Sequence, residues 1–167
     1  MVDYNKHITR GHPVIFGFII LFSIIELAIA AWLVSRFNLR HDFLSLAVRN
    51  GARFLLFTSS WTVFFSLFYF ALFFHSPTGS ALTSVLSHAV FLTFAWIFWT
   101  AGAASITAAL GGGLNCSVHF VYCGQLNALE GFAWIIWIFI TLALFVTLLR
   151  GISASRRGDG FSGGLVA

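Results

Sequence analysis

Four long apolar runs, separated by shorter polar stretches, dominate the pattern of hydrophobic and polar positions along the chain. They lie at residues 14–34, 54–74, 85–110 and 131–149. Each is close to the roughly 20 residues that cross a bilayer as an α-helix, and none shows the short alternating segments of a membrane β-barrel. The pattern predicts an all-α, integral membrane bundle of four transmembrane helices over residues 1–151, followed by a short flexible cytosolic tail at 152–167.

The stretches beside these runs carry weaker structural signals. Residues 42–53 mix apolar side chains with Arg49 and Arg53, a composition that suits a short amphipathic segment on the membrane surface, and Gly51 is expected to separate it from helix 2. Glu130 is expected in the first turn of helix 4, where an acidic side chain interacts favourably with the helix dipole. The first run is too long for a cleavable signal peptide, so helix 1 is expected to remain as a signal anchor.

Composition places this bundle in lipid. Hydrophobic residues make up 59% of the chain and charged residues only 8%, too few to cover the surface of a soluble protein. The net charge of +4 comes from basic residues that flank the apolar runs without forming a dense patch. Contact with anionic lipid headgroups explains that charge, and a nucleic-acid partner is not expected.

Charge and cysteine positions predict the orientation of the bundle. The side that carries both termini has five Lys and Arg residues and the opposite side has four, which barely favours cytosolic termini. The loop between helices 3 and 4 contains Cys116, Cys123 and the sequon Asn115-Cys116-Ser117. Disulfides and N-glycans belong to the extracytoplasmic side. We therefore expect cytosolic termini, a Cys116–Cys123 disulfide rather than two free thiols, and Asn115 as a candidate glycosylation acceptor.

Glu26 is the one charged residue inside the first apolar run. Thr62 of helix 2 and Trp99 and Thr100 of helix 3 are expected at a similar depth, where their hydroxyl and indole groups can donate hydrogen bonds to a carboxyl group. A structural hydrogen bond between helices is the favoured interpretation, with Glu26 protonated. A proton or ion relay is the alternative, and the absence of basic residues from the spans argues against it.

Two sets of residues four positions apart predict helix faces. Thr58, Thr62 and Ser66 form a polar stripe expected to face the bundle interior, either as hydrogen-bonding contacts between helices or as the lining of a water path. Small residues repeat along helix 3 and let helix backbones approach closely in lipid, either within one chain or between two copies, unless they reflect compositional bias alone. This ladder consists of Ala101, Ser105, Ala109 and Gly113.

No pattern for catalysis or a cofactor is evident. His75, His88 and His119 do not pair at matching depths on neighbouring helices, as a haem or metal site would require. Gly111, Gly112 and Gly113 lack the following Lys-Ser/Thr of a phosphate-binding loop. We expect a protein that is not an enzyme, with bound lipids as its candidate ligands; the family resemblance described next adds sterols to these.

Seven stretches of the chain carry a family resemblance. They are residues 10–13, 26–27, 32–33, 53–62 (RFLLFTSSWT), 98–104 (FWTAGAA), 110–116 (LGGGLNC) and 122–130 (YCGQLNALE). These stretches resemble the fungal branch of the MARVEL-domain tetraspan proteins, which includes proteins associated with eisosomes and non-classical export. The resemblance spans about residues 11–151, and its sharpest parts are LGGGLNC and YCGQL.

The resemblance implies a function in membrane organisation. It implies an M-shaped four-helix protein with cytosolic termini in the plasma membrane or secretory vesicles, associated with sterol- or sphingolipid-rich domains and with itself. Other membrane proteins are further candidate partners, although the chain lacks the long cytosolic tails of larger members. A small transporter or channel is the alternative. Transporter helices are often broken within the membrane by Gly or Pro. Pro13 and Pro77 both lie outside the spans, which argues against this alternative.

Overall fold

The chain folds as an all-α bundle of four antiparallel helices. The computed structural model describes residues 4–75 and 85–156, with side chains described for 14–72 and 85–153. Each helix packs against the next one along the chain, and the last packs against the first, which closes the ring. The helices are α1 (Tyr4–Arg40), α2 (Leu46–His75), α3 (Val85–Leu110) and α4 (Cys123–Arg156).

All four helices are long and apolar enough to cross a membrane, so the chain is an integral membrane protein, as its hydrophobic pattern predicts. Large apolar side chains face outward on every helix; Phe64 is 67% exposed and Phe145 60% exposed. Such a surface is stable in hydrocarbon and not in water. We call the end where α1 begins and α4 ends the terminus end. The opposite end, with the loops 41–45 and 111–122, is the disulfide end.

The helices α1 and α2 extend further than their apolar runs. The helix α1 begins at Tyr4 and ends at Arg40, beyond both ends of the predicted span. Residues 46–53, expected as a separate surface segment, are the first turns of α2. Gly51 therefore does not separate two segments. It is buried inside α2, where an added Cβ would lie 3.3 Å from Cδ1 of Ile106, so the glycine allows close contact with α3.

The predicted start and end of helix 4 also differ from the structure, whereas helix 3 ends where it is predicted to end. The helix α4 begins at Cys123, so Glu130 lies roughly two turns inside it, beyond the first turn where the dipole acts most strongly. It continues past Gly151 to Arg156, into the predicted tail. The helix α3 ends at Leu110 as predicted, because Gly111 leaves the helix with φ +74°. The predicted turn at 76–84 and the tail residues 157–167 lie outside the described residues.

Candidate functional site

Five completely buried polar side chains on α1 and α2 lie at regular spacings along their helices. Ser23 and Glu26 share one face of α1, and Thr58, Thr62 and Ser66 lie four residues apart on α2. All five are 0% exposed, so the stripe on α2 faces inward as predicted. We call these residues the polar row.

Hydrogen bonds connect only part of the polar row. Trp99 Nε1 donates to Thr62 Oγ1 at 2.9 Å, and Thr62 Oγ1 donates to the carbonyl of Thr58 at 2.8 Å. Thr100 makes its hydrogen bonds to α4 and to its own helix instead. The expected bonds from these residues to Glu26 are not formed, because the indole and both hydroxyl groups donate elsewhere.

The remaining oxygen atoms of the polar row have no partner among the described residues. These atoms are Ser23 Oγ, Glu26 Oε1 and Oε2, Thr58 Oγ1 and Ser66 Oγ. A buried polar atom without a hydrogen bond is costly, and an ionisable group at membrane depth marks a functional candidate. Glu26 is therefore the centre of the candidate functional site.

A reciprocal pair of Trp and Thr residues joins α3 to α4. Trp96 Nε1 donates to Thr141 Oγ1 at 3.1 Å, and Trp137 Nε1 donates to Thr100 Oγ1 at 2.8 Å. Each threonine donates in turn to the carbonyl four residues earlier, Thr141 to Trp137 and Thr100 to Trp96. The four side chains and two carbonyls thus form a closed ring of hydrogen bonds. Trp134 adds one more bond, to Thr107 Oγ1 at 2.9 Å.

The amino-acid sequence carries a signal for this pair that the hydropathy pattern does not reveal. Residues 96–100 read WIFWT and residues 137–141 read WIFIT, with Trp and Thr four positions apart in both. Two antiparallel helices carrying the same Trp-x3-Thr spacing bring each indole to the partner's hydroxyl. The repeated spacing is thus a sequence signal compatible with neighbouring α3 and α4, a contact that hydropathy alone does not predict.

The loop at the disulfide end is held by covalent and polar contacts. The predicted disulfide is present and joins Cys116 to Cys123, the first residue of α4, with a Cα–Cα distance of 5.6 Å. The Asn127 amide pairs with both backbone groups of Leu114: Leu114 N donates to Asn127 Oδ1, and Asn127 Nδ2 donates to Leu114 O, each at 2.8 Å. The loop is thereby fixed to the first turns of α4. Asn115, the candidate glycosylation acceptor, is exposed, and its Oδ1 accepts hydrogen bonds from Ser117.

A second contact joins this loop to the connection between α1 and α2. The Tyr122 hydroxyl donates to Asp42 Oδ2 at 2.9 Å, and the Tyr122 ring packs edge-on against Trp32 at 5.2 Å between centroids. Desolvation, followed by the hydrogen bond and the charge of Asp42, raises the pKa of Tyr122; Arg40 and Arg36 oppose this effect. The two loops at the disulfide end therefore form one connected surface.

The small-residue ladder of helix 3 faces outward except at Ala109, which packs against the core. Ala101 and Ser105 are exposed and Ala109 is half-buried. Gly113 lies beyond the end of α3, with φ +110°, and does not extend the ladder. Close packing within the chain uses Gly102 instead, where an added Cβ would lie 2.6 Å from Leu55 Cδ2.

Searches against protein-family models, curated proteins and solved structures found no match. Within the described ranges, no three His, Cys, Asp or Glu side chains gather as a metal site would require.

Proposed function

We propose that the protein is a non-enzymatic tetraspan that organises membrane domains through lateral self-association and lipid contact, in the manner of the fungal MARVEL-domain proteins it resembles. In this proposal it resides in the plasma membrane or secretory vesicles with both termini in the cytosol. The described part of the chain consists of the bundle and two short loops, so lateral helix surfaces are the largest surfaces it offers to partners.

The observation that carries this proposal is the outward position of small residues on α3. Ala101, Ala104, Ser105 and Ala108 are exposed on one face of the helix, which we call the small-residue face. Towards the terminus end the same helix exposes large side chains instead, including Phe94. A face of small residues lets a second helix backbone or a flat lipid ring approach closely. Because these side chains are exposed on the outside of the bundle, they are accessible to a second copy or to lipid.

Crosslinking in native membranes tests self-association. We expect the unmodified protein to form crosslinked oligomers, and we expect the Ala101→Leu/Ser105→Leu variant to lose them because leucine side chains separate the backbones. Ala28→Leu is the matched control, since Ala28 is an exposed small residue on α1. A monomeric pattern of the unmodified protein at every expression level would refute self-association. Equal crosslinking in all three proteins would assign it to another face.

A small transporter or channel is the second candidate function, favoured by the unpartnered carboxyl group of Glu26. A complete pathway needs polar groups on both sides of that residue. Between the polar row and the disulfide end, however, the buried side chains of α1 and α2 are apolar, including Leu33, Phe37 and Leu55. Ion or proton flux into sealed proteoliposomes distinguishes the two functions, and the membrane-organising proposal expects none above that of protein-free vesicles.

A further inference from the structure

The unpartnered oxygens of the polar row need an explanation that the proposed function does not supply. Ser23, Glu26, Thr58 and Ser66 come from two packed helices, and all four are completely buried. Because a buried polar atom without a hydrogen bond is costly, these four residues require hydrogen-bonding partners other than the described protein groups. Internal water and bound ions are the usual partners of buried polar groups that lack protein partners.

Two contacts fix the relative heights of α1 and α2. Towards the terminus end, the His88 ring lies 4.6 Å from the Tyr69 ring and 6.1 Å from the Phe16 ring, measured between centroids. These three residues mark one level of the bundle. Towards the disulfide end, Arg53 Nη2 donates to Asn38 Oδ1 at 2.7 Å and marks a second level.

The heights of the polar groups follow from these two levels. Interpolation between the two levels places Glu26 beside Thr62 and Ser23 between the heights of Thr62 and Ser66. Ser66 lies about 6 Å from Thr62 towards the terminus end, and Thr58 lies about 6 Å from it towards the disulfide end. The unpartnered oxygens are therefore spread over roughly 12 Å along the bundle axis.

This length decides between a single bound ion and several water molecules. A cation contacts its oxygen ligands at roughly 2.3–2.6 Å, so one ion cannot contact groups about 12 Å apart. Water molecules, each making about three hydrogen bonds, can link such groups in sequence. Water also supplies the donors and acceptors that a protonated carboxyl group and three hydroxyl groups require.

Directly next to the row, polar groups follow towards the terminus end, whereas apolar side chains of α1 and α2 follow towards the disulfide end. Towards the terminus end, the Tyr69 hydroxyl lies 2.7 Å from Ser87 Oγ, and the buried His88 ring lies beside Tyr69. Towards the disulfide end, the buried side chains of α1 and α2 beyond Thr58 are apolar, and we call them the apolar plug. The plug consists of Ala30, Leu33, Phe37, Val48, Ala52 and Leu55.

We propose that the polar row holds a file of internal water molecules that opens to the terminus end only and connects the Glu26 carboxyl group to that side of the membrane. A proton from water on that side binds a Glu26 oxygen, which leaves the buried carboxyl group neutral. Besides Glu26 and the disulfide-bonded Cys123, the ionisable side chains buried in the described interior are His88 and Tyr69. The helix α4 presents apolar residues to the same interior, including Leu129, Ala133 and Ile136.

Cysteine accessibility tests the file and its direction. Both native cysteines are in the disulfide, so single added cysteines are the only reactive thiols of the described chain under non-reducing conditions. Ser66→Cys introduces a thiol into the polar row, and Ala52→Cys introduces one into the apolar plug. Both positions are small, completely buried and on α2. Ala52 lies closer to its helix end than Ser66 does, so depth alone would make Ala52→Cys the more reactive variant.

The two variants are treated in sealed vesicles with a small hydrophilic thiosulfonate added at one membrane side at a time. We expect Ser66→Cys to react from the terminus side at least about tenfold faster than Ala52→Cys reacts from either side, a difference of about 1.4 kcal/mol. An unreactive Ser66→Cys, or equal reactivity of the two thiols, would overturn the proposal. Reaction of Ser66→Cys from the disulfide side would overturn its direction. If Ser66→Cys fails to fold, Ser23→Cys replaces it on α1.

Infrared spectroscopy provides an independent readout of the carboxyl group. The chain has only five Asp and Glu residues, so one buried protonated carboxyl group can be assigned by difference. We expect a protonated-carboxyl band that is absent in Glu26→Gln and that shifts within the mixing time when H₂O is replaced by D₂O. A band that fails to shift would show that water does not reach Glu26 and would overturn the proposal, without bearing on self-association.

Discussion

At the scale of single residues, indole and hydroxyl groups are the main polar connections between helices. Within the described part of the chain, four tryptophans donate to threonines on neighbouring helices, three of them across the α3–α4 interface. Hydrocarbon contains no groups that compete for these hydrogen bonds. Because lipid tails are as apolar as leucine, helix association in a membrane depends on close packing as well as on hydrogen bonds, and the two contributions add. Each is expected to contribute on the order of 1 kcal/mol.

The closed ring of hydrogen bonds between the Trp and Thr side chains of α3 and α4 allows a stability test with a matched control. Thr100→Val keeps the shape of the side chain but leaves Trp137 Nε1 without an acceptor, so we expect a loss of about 1 kcal/mol of unfolding free energy in mixed micelles. Thr93→Val is the control, because Thr93 is exposed and its hydroxyl donates to the carbonyl oxygen of Ala89 in its own helix. Equal destabilisation by both variants would show that the interhelix bond adds nothing. Combining Thr100→Val with Trp137→Phe should cost less than the sum of the two, since both remove the same bond.

The Asp42–Tyr122 pair allows a pH test. Because the pKa of Tyr122 is raised, first by desolvation and then by the hydrogen bond and charge of Asp42, folding favours the neutral phenol. The stabilising contribution is therefore fully present below the pKa of an unfolded tyrosine and is lost as pH rises through the higher pKa of the folded state.

We expect Asp42→Asn to lower the pKa of Tyr122, with the desolvation effect remaining. An ultraviolet titration of tyrosinate measures this change, and subtraction of the Tyr122→Phe signal removes the contribution of the other two tyrosines. An unchanged titration in Asp42→Asn would show that Asp42 does not act on the phenol.

Single-residue roles were only partly predictable from sequence. The disulfide was predictable because Cys116 and Cys123 are the only two cysteines in the chain. The depth of Glu26 was also predictable, since a position within an apolar run sets it. The partners of Trp99 and Thr100 were not, because a partner depends on how two helices are rotated about their axes, which depth does not determine.

At the scale of elements, hydropathy located the membrane crossings better than the helix ends. An apolar run marks the residues in hydrocarbon, but hydrogen bonding within a helix continues through polar residues in the headgroup region. This is why α2 includes Arg49 and Arg53, and why α4 begins before its apolar run. The end of α3 was predictable because three consecutive glycines follow Leu110 and adopt positive φ.

The 111–122 loop is held to α4 by the disulfide and by the hydrogen bonds of Asn127, and each can be removed separately. Opening the disulfide with a Cys116→Ser/Cys123→Ser variant should lower the unfolding free energy by roughly 2–3 kcal/mol, the value for a short closed loop. Asn127→Ala should destabilise the loop as well, because it leaves two backbone groups of Leu114 without their partner.

Denaturant unfolding of both variants, with amide hydrogen exchange at Leu114, measures these effects. We expect faster exchange at Leu114 in Asn127→Ala with the disulfide intact, which would show that the disulfide and the Asn127 hydrogen bonds act independently. Exchange at the rate of the unmodified protein would mean that the disulfide alone holds the loop.

At the scale of the whole molecule, four crossings place the start of α1 and the end of α4 at one end of the bundle and the disulfide at the other. The position of the disulfide therefore predicts the orientation of the whole bundle in the membrane. A disulfide is stable in the oxidising extracytoplasmic compartment, so the terminus end is expected to face the cytosol. The charge difference of five to four basic residues points the same way only weakly.

Protease protection of tags in sealed spheroplasts tests this orientation. We expect a tag at the C-terminus to survive external protease, and a tag inserted after Val118, which is 57% exposed in the 111–122 loop, to be removed. Permeabilised spheroplasts, in which both tags are cleaved, are the control for tag accessibility. Loss of the C-terminal tag with survival of the loop tag would show that the bundle has the opposite orientation in the membrane. The water file that we infer at the terminus end would then open to the outside, and the disulfide loop would face the reducing cytosol.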